Sequence, residues 1–198
     1  MNNEMEKVIK QEYDAIGVMF KSLDYDNLYK VIDVIKKRKG KVIFLGVGKS
    51  GHIAEKLAAT FSSTGTPSFF VHGTEACHGD LGMIEKNDIV ILISNSGTTK
   101  EVVQNIKPLR NIGCTLIAFT SKKDSILATS CDYQIIYPSL KEADKLNLAP
   151  SVSSTLALVL GDAIALTLSD SYNFTREDFF KFHPNGALGE SLKKELDK

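Results

Sequence analysis

The sequence contains no tryptophan, only three cysteines and no excess of either charge. Cys77, Cys114 and Cys131 are odd in number and far apart, and no C-x-x-C pair occurs. That pattern supports neither a disulfide framework nor a zinc cluster, and it fits unpaired residues in a reducing compartment. The 24 basic and 24 acidic side chains cancel, so the basic footprint of a nucleic-acid binder and the polybasic patch of a membrane-surface protein are both missing. A small anionic ligand is not excluded, because it needs a local site and not a net charge. Residues 1–20, MNNEMEKVIKQEYDAIGVMF, scatter charges throughout and contain no apolar h-region, unlike a signal peptide. No low-complexity segment, linker or internal repeat interrupts the 198 residues. The expectation is a cytoplasmic protein of one domain, residues 1–198, with room for a substantial core.

Long apolar runs are also scarce. The nearest to one is Ser151 to Asp170, SVSSTLALVLGDAIALTLSD. Its unbroken apolar portion falls short of about 18 residues and Asp162 sits in its middle, which argues against a membrane span. Ser151, Ser153 and Ser154 follow Pro150 as candidate N-caps. The reading is a core helix, apolar nearly all round, packing in part against a second subunit.

Residues 5–21 and 26–39 show helical periodicity, and short β-rich runs then alternate with helical stretches. Strands are predicted at Lys41–Leu45, Ser68–His72, Asp88–Ile93, Thr115–Thr120 and Tyr133–Tyr137. Helices are predicted over 50–63, 99–112, 123–130 and 151–169, with short ones near 175–181 and 187–196. Near-continuous apolar strands such as DIVILI suit a parallel sheet covered on both faces. The alternation implies right-handed crossovers and an α/β fold: a doubly wound, five-stranded parallel sheet with helices on both faces, flavodoxin-like. Ligands of such sheets bind beyond the carboxyl ends of the strands, at a topological switch point.

The chemistry-bearing motifs fall at those ends. Gly46-Val47-Gly48-Lys49-Ser50-Gly51 joins a strand to a helix. It matches G-x-G-x-x-G, but the second strand ends in Phe70-Val71-His72-Gly73 with no acidic residue to hold a ribose. A P-loop would need glycine at 43, where Ile43 lies inside the strand. What remains is a tight turn whose free N–H groups, with Lys49 and Ser50, suit one phosphate. A plain turn would account for the glycines but not for Lys49 and Ser50 together. Ser94-Asn95-Ser96-Gly97-Thr98-Thr99 follows the third strand and crowds four hydroxyls, an amide and a glycine at its end. Capping of the next helix by Ser96 or Thr99 needs one hydroxyl, not four. Two phosphate-suited loops on neighbouring strands point to one shared site.

Acid–base candidates lie nearby. His72, Glu75, His78 and Asp80 gather in a segment too glycine-rich for a helix. A zinc pair of His78 and Asp80 lacks an evident third ligand, so no metal and no cofactor is expected. Glu101 follows the hydroxyl loop, where a carboxylate at a helix start is ordinarily only dipole-stabilising. Glu142 lies in Lys141-Glu142-Ala143, before the long apolar helix, and His183 precedes Pro184 in HPNGALG.

Taken in this order, the motifs closely resemble the SIS (sugar isomerase) domain of the arabinose-5-phosphate isomerase family. The resemblance runs through GVGKSGHIAEKLAATFSSTGTPSFFVH (46–72), EACHGDLGMI (75–84), SNSG (94–97), KEA (141–143), NLAPSVSSTLALVLGDAIA (147–165) and HPNGALG (183–189). It implies active-site roles for Lys49, His78, Glu101, Glu142 and His183. It also places the sugar phosphate on Gly48, Ser50, Ser94, Asn95, Ser96 and Thr99. The family's usual SNSG-E-S-S-E is here SNSG-T-T-K-E, VHPGEA is VHGTEA and HPGGALG is HPNGALG; none of these changes touches a residue carried over as catalytic. Family members typically continue into a tandem CBS pair, and no such pair follows before Lys198.

The activity so implied is aldose–ketose isomerisation between arabinose 5-phosphate and ribulose 5-phosphate. One base moves a proton between C1 and C2 through a cis-enediol(ate), a task suited to a carboxylate of raised pKa. Glu142 is the first choice, with Glu101 as second acid–base group or partner of Lys49; the sequence does not choose between the two carboxylates. His183 would open the ring, and Lys49 would neutralise substrate charge. The expected partners are a small sugar phosphate and further copies of the chain, in a homotetramer, with His183 serving a neighbour's site. No nucleic acid and no membrane are expected. Rival readings are another SIS isomerase, such as one for hexulose 6-phosphate, and a non-catalytic sugar-phosphate sensor.

Overall fold

A computed structural model describes residues 3–196. The five apolar runs form strands β1 (Val42–Gly46), β2 (Ser68–His72), β3 (Ile89–Ile93), β4 (Thr115–Thr120) and β5 (Tyr133–Ile136). The helices are α1 (Glu4–Ser22), α2 (Tyr25–Lys36), α3 (Gly48–Ser63), α4 (Gly73–Ala76) and α5 (Lys100–Val103). They continue with α6 (Ile106–Ile112), α7 (Ile126–Ser130), α8 (Val152–Ser171), α9 (Arg176–Phe182) and α10 (Gly186–Leu196). All strand pairs are parallel, in the order β2-β1-β3-β4-β5. This is the doubly wound sheet that the alternation predicts.

Every residue of β1 and β3 is buried, which only helices on both faces permit. Alternate residues serve opposite cores. Val42 and Phe44 pack with Ile35, Leu57, Leu156 and Leu160 of α2, α3 and α8. Ile43 and Leu45 pack with Ala76, Val102, Leu109 and Leu127 on the other side. The connection from β1 leads to β2 and that from β3 to β4, so the chain departs in opposite directions from the β1/β3 boundary. The carboxyl ends of these two strands therefore frame the crevice.

The apolar stretch after Pro150 is the core helix expected. Although α8 is long and apolar enough to cross a membrane, it buries Val152, Leu156, Leu160, Ile164 and Leu168 inside the protein. It approaches α3 closely because Gly161 faces Leu57: a Cβ there would lie 2.4 Å from Leu57 Cδ1.

Two local expectations need correction. The helix predicted over 99–112 is two helices, α5 and α6. Pro108 has no N–H to return to the Gln104 carbonyl, so a continuous ladder is broken there. The glycine-rich segment after His72 is partly helical: α4 forms, and a 3₁₀ turn follows at Asp80–Met83. His72 Nδ1 accepts the Thr74 N–H at 3.4 Å and so caps α4.

Candidate active site

The β1 carboxyl end passes directly into α3, whose first turn carries Gly48, Lys49 and Ser50. Lys49 is exposed and Ser50 half-buried. Among the described residues Lys49 makes no ion pair. Next to it, the Ser94–Thr99 loop leaves β3. Ser94 is buried and its Oγ lies 2.8 Å from Thr99 Oγ1 while accepting the Gly97 N–H at 3.1 Å. Ser96 Oγ accepts the Thr98 N–H at 3.3 Å and the Thr98 hydroxyl at 3.1 Å. Thr99 stands at the N-cap of α5 but caps nothing with its side chain, because that hydroxyl is engaged with Ser94. The hydroxyls thus organise the loop, and the N–H groups of Ser96, Thr99 and Lys100 find no acceptor among the described residues. Free N–H groups in a curved loop are suited to phosphate oxygens.

The loop needs glycine at 97. Its φ is +65°, and a Cβ would lie 2.0 Å from Ser125 Oγ. The backbone there is pressed against Ser125, the N-cap of α7, and the Leu127 N–H of that helix donates to the Gly97 carbonyl at 3.0 Å and holds the loop down.

Glu142 reaches the same place from the long connection between β5 and α8. Its Oε2 accepts the Ser151 N–H at 2.9 Å, the Ser153 N–H at 3.1 Å and the Ser151 hydroxyl at 3.2 Å. The serines expected to cap α8 do not do so with their own hydroxyls; Glu142 takes over that role from outside the helix. Oε1 accepts no hydrogen bond among the described residues. The Glu142 N–H donates to Asn147 Oδ1 at 2.7 Å. Burial pushes the Glu142 pKa up, but the hydrogen bonds from Ser153 and Ser151 outweigh it and hold the carboxyl below the usual carboxylate range. The shift is opposite to the raised pKa expected of the base.

Lys49, Ser50, Asn95, Tyr137, Glu142 and Ser153 line one cleft of about 280 Å³. Tyr137 is 2% exposed and donates its hydroxyl to Asn95 Oδ1 at 3.1 Å. Burial, and then the Glu142 charge, push its phenol far above the ordinary value, so it stays a neutral donor. With Oδ1 so engaged, Asn95 has its NH₂ left for a ligand. The cleft therefore combines one exposed cation, one carboxylate and several neutral donors.

Not every predicted residue lines it. Glu101 is exposed on α5; its backbone carbonyl accepts the Asn105 side-chain amide at 2.7 Å. Asn105, wholly buried, donates also to the Gly73 carbonyl at 2.9 Å and so ties α5 to α4. His78 is exposed in the turn after α4. His183 lies elsewhere in the chain's own fold: its ring stacks on Phe179 at 4.0 Å and borders a hollow with Ser62, Ser63 and Pro67. That hollow is at the far end of α3, about 20 Å from Lys49 at 1.5 Å per helical residue. Sequence reasoning missed Tyr137 and Asn147. Tyr137 reads as a strand end, and only its place at a carboxyl terminus signals more. Asn147 has φ +56°, and an asparagine in a loop is a weak signal for that conformation.

Comparison with known proteins places this geometry in a family. The SIS domain family model matches residues 35–167. An arabinose 5-phosphate isomerase KdsD from Pseudomonas aeruginosa is 45% identical over 187 residues, 94% of this chain and 57% of that protein. The KdsD of Francisella tularensis is 46% identical over 195 residues, 97% of this chain and 59% of the relative. The chain thus spans little more than half the length of these two relatives. The solved structure of Escherichia coli CFT073 c3406 in complex with arabinose 5-phosphate is 52% identical, with a TM-score of 0.90, and the match covers 93% of this chain and 100% of that one. On its sequence, its sheet order and the position of its cleft, the chain belongs to the SIS domain family.

Proposed function

We propose that the protein is an aldose–ketose isomerase interconverting D-arabinose 5-phosphate and D-ribulose 5-phosphate through a cis-enediol(ate). The observation that carries this is the meeting of Lys49 and Glu142 in one cleft at the β1/β3 switch point. The relatives' names and the arabinose 5-phosphate bound to the c3406 structure supply the substrate. The phosphate sits on the free N–H groups of the Ser94–Thr99 loop and the first turn of α3, with Gly48, Ser50 and Asn95 beside it. Lys49 offsets the phosphate charge or the developing enediolate.

Glu142 is the base that moves the proton between C1 and C2. Its Oε2 is anchored on α8, so Oε1 takes the proton. A carboxyl held below its usual range is wholly ionised at neutral pH but is a weak base. Substrate that loosens the Ser151 and Ser153 bonds would raise its basicity where it is needed. Glu101 and His78, exposed outside the cleft in one chain, are kept in the proposal as a partner for Lys49 and a further acid–base group, and His183 as the group that opens the sugar ring.

His183 is too far from Lys49 within one chain, so the same proposal includes a homo-oligomer, a tetramer, in which a neighbour's copy completes the site. Met5, Ile9, Tyr13 and Phe20 of α1, Tyr29 of α2 and Leu166 of α8 are exposed apolar side chains that assembly would cover. The compartment proposed is the cytoplasm, and one unit spans residues 1–198.

Incubation with a panel of pentose and hexose phosphates, followed by NMR, tests the reading. Ribulose 5-phosphate should form from arabinose 5-phosphate faster than any other product. Preferential turnover of a hexulose 6-phosphate would reassign the substrate, and binding without turnover would make the domain a sensor.

A further inference from the structure

We propose that Gln11 of α1 is a positioning residue for Glu142, acting through the backbone of the loop that carries it. The proposal rests on Glu142 as the base. Residues 137–151 contain neither helix nor strand, and so long an irregular connection needs ties from outside itself to hold a reacting group. Half-buried Gln11 provides one across 130 positions of sequence: its Nε2 donates to the Lys141 carbonyl at 3.1 Å and to the Glu142 carbonyl at 2.9 Å. Those two carbonyls belong to the peptide groups on either side of the Glu142 Cα. The intervening Glu142 N–H is held by Asn147 Oδ1 at 2.7 Å. Both backbone dihedrals of Glu142 are thereby fixed before its side chain meets Ser151 and Ser153.

The chemistry selects glutamine. Two N–H donors on one planar amide can serve two adjacent carbonyls; glutamate would oppose them with acceptors, and methionine would keep the shape without donors. The other ties from α1 are of a different kind. Glu12 Oε2 accepts the Thr155 hydroxyl at 2.8 Å, and Lys145 Nζ lies 3.6 Å from Glu4. They dock α1 on α8 and on the outer loop without touching the peptide groups around Glu142. Gln11 also lies outside residues 35–167, the part matched by the family model.

The test compares Gln11→Met, Thr155→Val and Glu142→Gln with the unaltered chain. It measures kcat, KM, melting temperature and the Glu142 carboxyl titration by ¹³C NMR, assigned by its loss in Glu142→Gln. In Gln11→Met, kcat should fall about 10- to 100-fold, the order expected when a reacting group is displaced by an ångström or less, with KM little changed. The Glu142 titration should move up toward the ordinary carboxylate range as its bonds to Ser151 and Ser153 loosen. Lys49 and Tyr137, the other titratable groups lining the cleft, are unaltered in this variant. Thr155→Val should lower the melting temperature while leaving kcat and the titration in place. Should Gln11→Met fail to fold, Gln11→Ala is read by the same measurements.

A folded Gln11 variant with unchanged kcat and titration overturns the proposal. So does one that only loses melting temperature, as Thr155→Val does. Near-normal turnover by Glu142→Gln overturns the base assignment and this proposal with it. An inactive Glu142→Gln beside a fully active Gln11→Met overturns the proposal alone.

Discussion

The hydroxyls of the Ser94–Thr99 loop divide into two kinds, and the division predicts different mutant phenotypes. Ser94 is buried and bonded to Thr99 and Gly97, so Ser94→Ala should lower stability by about 1–3 kcal/mol, the cost of leaving buried partners unmet. Ser96 is exposed and contacts ligand in the proposed site. Ser96→Ala should raise KM with kcat nearly unchanged, because phosphate is bound alike in ground and transition states; a fall in kcat alone would contradict this. The depressed Glu142 pKa also has a stability consequence. Its bonds to α8 stabilise the fold above the unfolded carboxylate pKa, and that contribution is lost as pH falls through the lower folded pKa. Thermal melts of the chain and of Glu142→Gln should therefore differ at pH 7 and converge in acid. A gap that widens on acidification would contradict the assignment.

At the scale of elements, the strands were legible because each apolar run of β1, β3 and β4 is followed at once by a turn of glycine or hydroxyl residues. That adjacency also singled out Lys49, Ser50 and the Ser94–Thr99 loop as candidate site residues. The Glu142 cradle was only half legible. The motif and the serines after Pro150 could be seen, but the capping of α8 by Glu142 is a tertiary contact that local periodicity does not record. The ties from Gln11 and Asn147 were hidden for the same reason, and so was the break at Asn105, where Pro108 overrides a good helical pattern. The packing of α3 on α8 gives a further prediction. Gly161→Ala places a methyl against buried Leu57, and overpacking of this kind costs about 1–3 kcal/mol. Denaturant unfolding should show that loss, and an unchanged midpoint would mean that the two helices separate freely.

At the scale of the whole molecule, the proposed oligomer and the proposed chemistry are separately measurable. Light scattering at micromolar concentration should report a mass above that of one chain; a monomeric mass would leave His183 without a site to serve. The proposed base-catalysed mechanism calls only on groups of the protein itself, so activity should survive EDTA, and loss reversed only by added metal would contradict it. The most direct measurement follows the hydrogen on C2 of arabinose 5-phosphate in deuterated water, with the unaltered chain and with Glu142→Gln. General-base catalysis is typically worth about 10²–10⁴-fold. The unaltered chain should exchange that hydrogen as it forms ribulose 5-phosphate. Glu142→Gln should lose exchange and kcat together by at least that order, with KM little changed. Exchange retained in Glu142→Gln but abolished in Glu101→Gln would contradict the account and move the base to Glu101.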